Sequence, residues 1–183
     1  MSCNFSCWVV IPAAGSGERM GVTTPKQYMK LNGMTLLEHT ASRFLGDSRI
    51  SGVRLIVDLK GGWHTGSILS DHPKVSFVQG GLRRSDSVLA GLNSLVDIAN
   101  EMDWVLVHDA ARPCVRAEEI DRLIDKVSNS RVGGILAQPI VDTVKKADED
   151  GMVDATLERD TLWRALTPQM FPLGLLREAI LDA

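Results

Sequence analysis

Residues 7–20 read Cys7-Trp8-Val9-Val10-Ile11-Pro12-Ala13-Ala14-Gly15-Ser16-Gly17-Glu18-Arg19-Met20. The run from Cys7 to Pro12 is apolar without alternation, as a strand buried on both faces of a parallel sheet reads. It passes straight into small residues. Alanine and glycine let the backbone come close to a ligand, and consecutive N–H groups there can cradle phosphate oxygens. In open α/β sheets the ligand crevice lies at the carboxyl ends of the strands, where this loop sits. Two common phosphate loops are excluded. The dinucleotide fingerprint needs a third glycine where Met20 stands, and a P-loop needs a Gly-Lys-Ser/Thr triplet that this stretch lacks. In their place stand two cations, Arg19 and Lys26, the second directly after Pro25. The plain alternative is a strand-to-helix turn with solvated charges.

Working outward, residues 53–58, 75–78, 104–107 and 134–137 are further short apolar runs. Helical patterns lie between them. Thr35 can cap a helix over 36–44, with Glu38 at the capping-box position. Ser85 can cap the next, in which Val88, Leu89, Leu92, Leu95 and Val96 recur at helical spacing. A third spans about 117–127, opened by Glu118 and Glu119, acids that suit a helix N-terminus. Strand and helix alternate, so the expected class is α/β with a doubly wound, mostly parallel, Rossmann-like sheet. Residues 138–163 break the pattern. They are polar, rich in Asp, Glu and Lys, and interrupted by Gly151, and they read as a protruding hairpin or arm. Helical spacing returns over 173–181.

The 183 residues suit one domain, 1–183, with 44% apolar and 23% charged residues, an ordinary globular composition. A net charge of −3 argues against a broad nucleic-acid surface but leaves room for a small phosphate pocket. Cys3, Cys7 and Cys114 are odd in number and lack zinc-ligand spacing, so they read as incidental thiols in a reducing compartment. No apolar stretch is long enough to span a bilayer, and the first strand starts too early to leave room for a leader. A cytoplasmic location is the expectation.

The run Trp104–Val107 ends in His108-Asp109-Ala110-Ala111-Arg112-Pro113. A carboxylate at the carboxyl end of a buried strand points into the crevice, and Asp109 is therefore a candidate Mg²⁺ ligand, the hard oxygen that this cation wants beside phosphates. The other reading is that Asp109 caps a turn and pairs with Arg112. His108 reads as structural.

Taken in order, these motifs resemble the 2-C-methyl-D-erythritol 4-phosphate cytidylyltransferase family. Residues 12–20 match its PAAGxGxRM loop, and Lys26-Gln27 its P-K-Q. Gly80-Gly81-Leu82-Arg83-Arg84-Ser85-Asp86-Ser87-Val88 matches GGxxRxxSV, and residues 108–113 match HDAARP. Asp142-Thr143-Val144-Lys145 matches D-T-hydrophobic-K. Arg159, Leu162-Trp163 and residues 165–169 match R-x-x-L-W-x-A-x-T-P-Q. One such motif is weak, but six in order are specific.

The resemblance implies transfer of CMP from CTP to methylerythritol phosphate. Arg19 and Lys26 would neutralise charge building on the α-phosphate. Asp109 and the triphosphate would hold Mg²⁺. Pro12, Ala13, Ala14, Gly15, Gly17, Gly81, Arg84, Ser87, Ala110 and Arg112 would bind the nucleotide, with Ala13, Ala14, Gly81 and Ser87 around the cytosine. Ser85 is expected as the N-cap, while Ser87 can face the base. By the same resemblance the arm makes a homodimer, placing Thr143 and Arg159 in the partner's site. Leu82 stands where family members often carry an acid. The family continues with a further strand, which carries a lysine that helps place the sugar phosphate, and a C-terminal helix; a chain ending at Ala183 is expected to show an exposed sheet edge and weaker acceptor binding. Ribitol 5-phosphate as acceptor, or a non-catalytic nucleotide-binding module, are the competing readings.

Overall fold

The computed structural model describes residues 6–15, 24–130 and 132–183. Along the chain these form β1 (Cys7–Pro12), a short pair β2 (Lys30–Leu31) and β3 (Met34–Thr35), α1 (Leu36–Leu45), β4 (Ile50–Val57) and β5 (Val75–Gln79). Then follow α2 (Arg84–Asn93), β6 (Trp104–Val107), α3 (Ala117–Val127), β7 (Gly134–Pro139), β8 (Val144–Ala147), β9 (Val153–Leu157), β10 (Trp163–Pro172) and α4 (Leu173–Leu181). The main sheet runs β5-β4-β1-β6-β10-β7. β5, β4, β1 and β6 pair in parallel, and β10 is antiparallel to both β6 and β7.

Side chains alternate across a strand, so the continuous apolar run of β1 serves two cores. Cys7, Val9 and Ile11 join one cluster with α1 and α3 through Leu37, Phe44, Ile120, Leu123 and Ile124. Val10 joins the other with α2 and α4 through Val88, Leu92 and Leu173. The doubly wound class expected from the sequence is what forms. Each fully buried Leu, Ile or Phe here contributes about 1.5–3 kcal/mol of hydrophobic stabilisation. Burial pushes the Cys7 thiol up to about 12, which keeps it an inert core group.

Helix α1 starts as its sequence predicts. Glu38 N donates to Thr35 Oγ1 at 3.1 Å, and Thr35 N donates to Glu38 Oε2 at 2.7 Å. The same carboxylate accepts from Ser67 Oγ (2.8 Å) and Ile68 N (3.1 Å), tying the loop before β5 to the helix. Burial works against the Glu38 charge, but the bonds from Thr35, Ser67 and Ile68 outweigh it and hold the carboxyl below its ordinary range. Thr35→Ala is expected to cost about 1 kcal/mol, read as a lower denaturant midpoint with an unchanged slope. An unmoved midpoint would rule out this account of the cap.

Helix α2 corrects the expectation for Ser85. The N-cap is Arg83, because Asp86 reaches back to accept from Arg83 N at 3.0 Å, and Ser85 lies exposed in the first turn. Strand β10, like the short pair β2–β3, has no counterpart among the strands expected from the sequence. It carries Pro168 and Pro172, which cannot donate to a ladder. Pro168 lies where the β10–β7 register shifts, between Ala165 and Gln169, and Pro172 is the strand's last residue.

The arm emerges between these two strands, where Trp163 pairs with Pro139. Its core is the antiparallel hairpin β8–β9, turned at Gly151 with φ +80°, a conformation that favours glycine. Val141, Met152, Val153 and Trp163 are exposed on and beside it. Strand β7 forms one edge of the main sheet. Among the described residues no helix is long and apolar enough to cross a membrane.

Candidate active site

The chain leaves β1 for β4 and β5 on one side and for β6 on the other, so the sheet's switch point lies between β1 and β6, where open α/β sheets bind ligands. The loop after β1 starts from a fixed floor: Ala13 N donates to Ile56 O at 2.7 Å, just past the β1–β4 ladder. Pro12 and Ala14 are half-buried, Ala13 is buried and Gly15 is exposed, with no atom of the described residues within 4 Å of where its side chain would sit. Gly17 and Arg19, both expected in this loop, lie outside the described residues.

Lys26 opens a single 3₁₀ turn, Lys26–Tyr28, and its side chain is exposed. The next residue anchors that turn. Gln27 Nε2 donates to Ala13 O (2.8 Å) and to Gly15 O (2.7 Å), and Gln27 is buried. Tyr28 packs in the core and stacks on Trp63 at 5.7 Å. Burial, helped by the nearby Asp58 charge, pushes the Tyr28 hydroxyl up to about 12.

The loop after β5 comes against the loop after β1. A Cβ on Gly80 would lie 2.4 Å from Ala14 Cβ and 2.9 Å from Ser87 Oγ, so only glycine permits this approach. Gly81 N donates to Ser87 Oγ at 3.2 Å, and Ser87 is buried. Ser87 Oγ in turn donates to Gly81 O at 3.4 Å. Leu82 is fully exposed.

The loop after β6 supplies the carboxylate. His108 N donates to Val10 O at 3.0 Å, which puts Asp109 one residue past the ladder, level with the end of β1. Arg84 Nη2 reaches Asp109 Oδ1 at 2.8 Å, and Arg112 Nε reaches Oδ2 at 2.9 Å. Burial raises the Asp109 carboxyl, but the two guanidiniums outweigh it and hold it below the ordinary carboxylate range. Backbone contacts fix the turn. Asp109 N donates to Thr167 Oγ1 (3.3 Å) and Thr40 Oγ1 donates to Ala110 O (2.9 Å), with Ala110 buried. His108 is structural, as its sequence position suggests. It is fully buried, its Nε2 donates to Arg112 O at 3.0 Å, and it meets Phe44 edge-on at 5.2 Å. Burial lowers its pKa, which keeps the imidazole neutral.

Both readings of Asp109 meet here. It does pair with Arg112, and it also stands at the carboxyl end of β6 with Arg84, the first residue of α2. Thr143 and Arg159 are exposed on the arm, and Arg159 Nη1 donates to Val141 O at 2.7 Å. Among the described residues the hydrogen bonds of the arm's side chains stay within the arm and its flanking strands and reach neither Asp109, Lys26 nor the loop after β1. Gln27, Thr40 and Thr167 are the supporting residues that the sequence reading gave no role. Gln27 carries a cue in its place beside Lys26, and Thr167 in the motif of residues 165–169, whereas Thr40 carries none.

A crevice of this kind belongs to the α/β nucleotidyltransferase class. Residues 7–183 match the family profile described as 2-C-methyl-D-erythritol 4-phosphate cytidylyltransferase, and the chain belongs to that family. It is 46% identical over 174 residues to the protein of that name from Vibrio vulnificus (strain YJ016), covering 95% of this chain and 73% of the relative. The protein of that name from Ectopseudomonas mendocina (strain ymp) is 47% identical over 186 residues, with 100% and 77% covered. The crystal structure of the Francisella tularensis enzyme of that name superposes with a TM-score of 0.82 at 37% identity, covering 97% of this chain and 77% of that one.

Proposed function

We propose that this chain is a cytidylyltransferase that moves CMP from CTP to 2-C-methyl-D-erythritol 4-phosphate, releasing pyrophosphate. One observation carries the reading: Asp109, bonded to Arg84 and Arg112, ties the start of α2 to the loop after β6 at the switch point, where the loop after β1 also ends. The family membership supports the same reaction. The triphosphate lies over the loop after β1, with Lys26 and Arg19 neutralising charge on the α-phosphorus. The acceptor phosphate is already ionised, so its oxygen needs alignment more than deprotonation, and the Lys26 turn and the arginines supply that alignment.

The donor set suits Mg²⁺ on one condition. Asp109 is the carboxylate at this site, and among the described residues no group of three or more His, Cys, Asp or Glu side chains forms a metal cluster. Magnesium commonly takes one or two carboxylates with substrate phosphates and waters, so Asp109 plus the triphosphate would hold it. When bound, the ion supplies positive charge to the triphosphate and to the leaving pyrophosphate. Arg84 and Arg112, which occupy Asp109 meanwhile, are then free to turn to phosphate oxygens.

Two further features belong to this proposal. The arm crosses to a second copy of the chain, and its Thr143 and Arg159 bind the methylerythritol phosphate in the partner's site; the exposed Val141, Met152, Val153 and Trp163 are the apolar surface that such a contact would cover. The reaction runs in the cytoplasm, where its nucleotide substrate is found. The test is pyrophosphate release from CTP and Mg²⁺ with methylerythritol phosphate, with ribitol 5-phosphate, or with no acceptor. Release is expected with the first alone. Faster release with ribitol phosphate would reassign the acceptor, and CTP binding without turnover would make the chain a binding module.

A further inference from the structure

We propose that Gln27 is a positioning residue for nucleotide binding: its buried amide turns two backbone carbonyls of the loop after β1 away from the phosphates and locks Lys26 to that loop. The inference rests on the proposed CTP site. Each hydrogen of the side-chain amide has its own acceptor, Ala13 O at 2.8 Å and Gly15 O at 2.7 Å. Both partners are carbonyls, so only the nitrogen can face them and the orientation of the amide is settled by its contacts. A phosphate-binding loop works by presenting N–H groups, and a carbonyl oxygen in the same cradle repels the anion. Two carbonyls bonded to a buried amide are removed from that contest.

The second effect is geometric. Gln27 follows Lys26 in one 3₁₀ turn, closed by Tyr28 N to Pro25 O (2.9 Å) and Met29 N to Lys26 O (3.2 Å). Tyr28 fixes the turn from the far side, packed in the core and stacked on Trp63. Leu36 N to Met29 O at 3.0 Å joins it to α1. Lys26 therefore stands at a set distance from Ala13 and Gly15, and Gln27 is the side chain that sets it. A buried glutamine with only structural work would hold the turn, and its loss would not be selective for one substrate.

Gln27→Met keeps the length and removes both donors. It is expected to raise the KM for CTP and lower kcat, each by about tenfold, the value of roughly one hydrogen bond in each. The KM for methylerythritol phosphate should move less than about twofold. Gln27→Asn keeps the amide with less reach, and it is expected to fall between Gln27→Met and the unaltered chain; it decides the matter if Gln27→Met does not fold. A lower melting temperature with an unchanged KM for CTP and unchanged kcat in either folded variant would overturn the proposal. CTP titration followed at the Ala14 and Gly15 backbone amides separates the two levels. If CTP leaves those amides unmoved in the unaltered chain, the nucleotide site itself is misplaced and this inference goes with it. If they move and the variants keep normal kinetics, only the role of Gln27 is lost.

Discussion

Asp109→Asn is expected to lower kcat by about 10²–10³-fold while CTP still binds, the scale at which one well-placed charge-stabilising group acts. Asparagine keeps the shape and an acceptor oxygen, so the turn of residues 108–113 can persist. What disappears is the negative charge that would hold the divalent ion and that now sets Arg84 at 2.8 Å and Arg112 at 2.9 Å. Two guanidiniums without their counter-charge favour a polyanion, so CTP affinity measured without metal should hold or rise. Calorimetric titration of Mg²⁺ into the CTP complex should show weakened binding. If the turn-capping role were the whole of it, the variant would keep normal turnover and lose only a little stability, because an exposed ion pair is worth about 0–1 kcal/mol. Normal kcat would therefore refute the catalytic assignment. The pH dependence carries a sign. The Asp109 carboxyl is held below its ordinary range, so its share of stability is full above the unfolded value and is lost as pH falls through the folded one. Acid unfolding below about pH 4 should consequently take more from the unaltered chain than from Asp109→Asn.

The parts of this fold that are legible in the sequence are those where one strand faces two cores. Cys7–Pro12 is apolar at every position because both faces are covered, and the same holds for Trp104–Val107, where all four residues are buried. Helix α1 is legible because its two cap partners are three residues apart. The start of α2 is harder, since Ser85 and Asp86 are both capping residues and neighbours. Asp86 decides the frame by reaching Arg83 N, a choice made by geometry that composition does not reveal. Strand β10 escapes because Trp163, Arg164 and Ala165 are exposed and Pro168 interrupts it, so it carries neither a buried run nor clean alternation.

The site divides along similar lines. Asp109 and the loop after β1 announce themselves because small residues and a carboxylate follow buried strands. The bond from Arg84 to Asp109 does not, because the two are 25 positions apart and meet only through the order of strands in the sheet. Gln27 is harder still. A glutamine in a polar stretch reads as surface, and only the positions of Ala13 O and Gly15 O show that it is buried and fully engaged. The arm is legible in a negative way, by lacking a core period.

Mixing two inactive chains, Asp109→Asn and Arg159→Ala, is expected to restore activity if the arm serves the neighbouring site. Each alone should be nearly dead, the first for want of its carboxylate and the second for want of a guanidinium on the acceptor phosphate. In a mixed dimer the chain that keeps Asp109 receives Arg159 from its partner, which still has it, and one complete site forms. Random pairing makes about half of the dimers mixed, each with one working site of two, so about a quarter of normal activity should return. Were Arg159 to act within its own chain, every site in the mixture would lack one group or the other and nothing would return. The arm's strands β8 and β9 pack chiefly on each other, and Arg159 is tied to Val141 within the arm. Co-expression with two different tags, purification through both, and assay of the mixed dimer give the answer directly. Full inactivity of a correctly assembled mixed dimer would place the acceptor site within one chain.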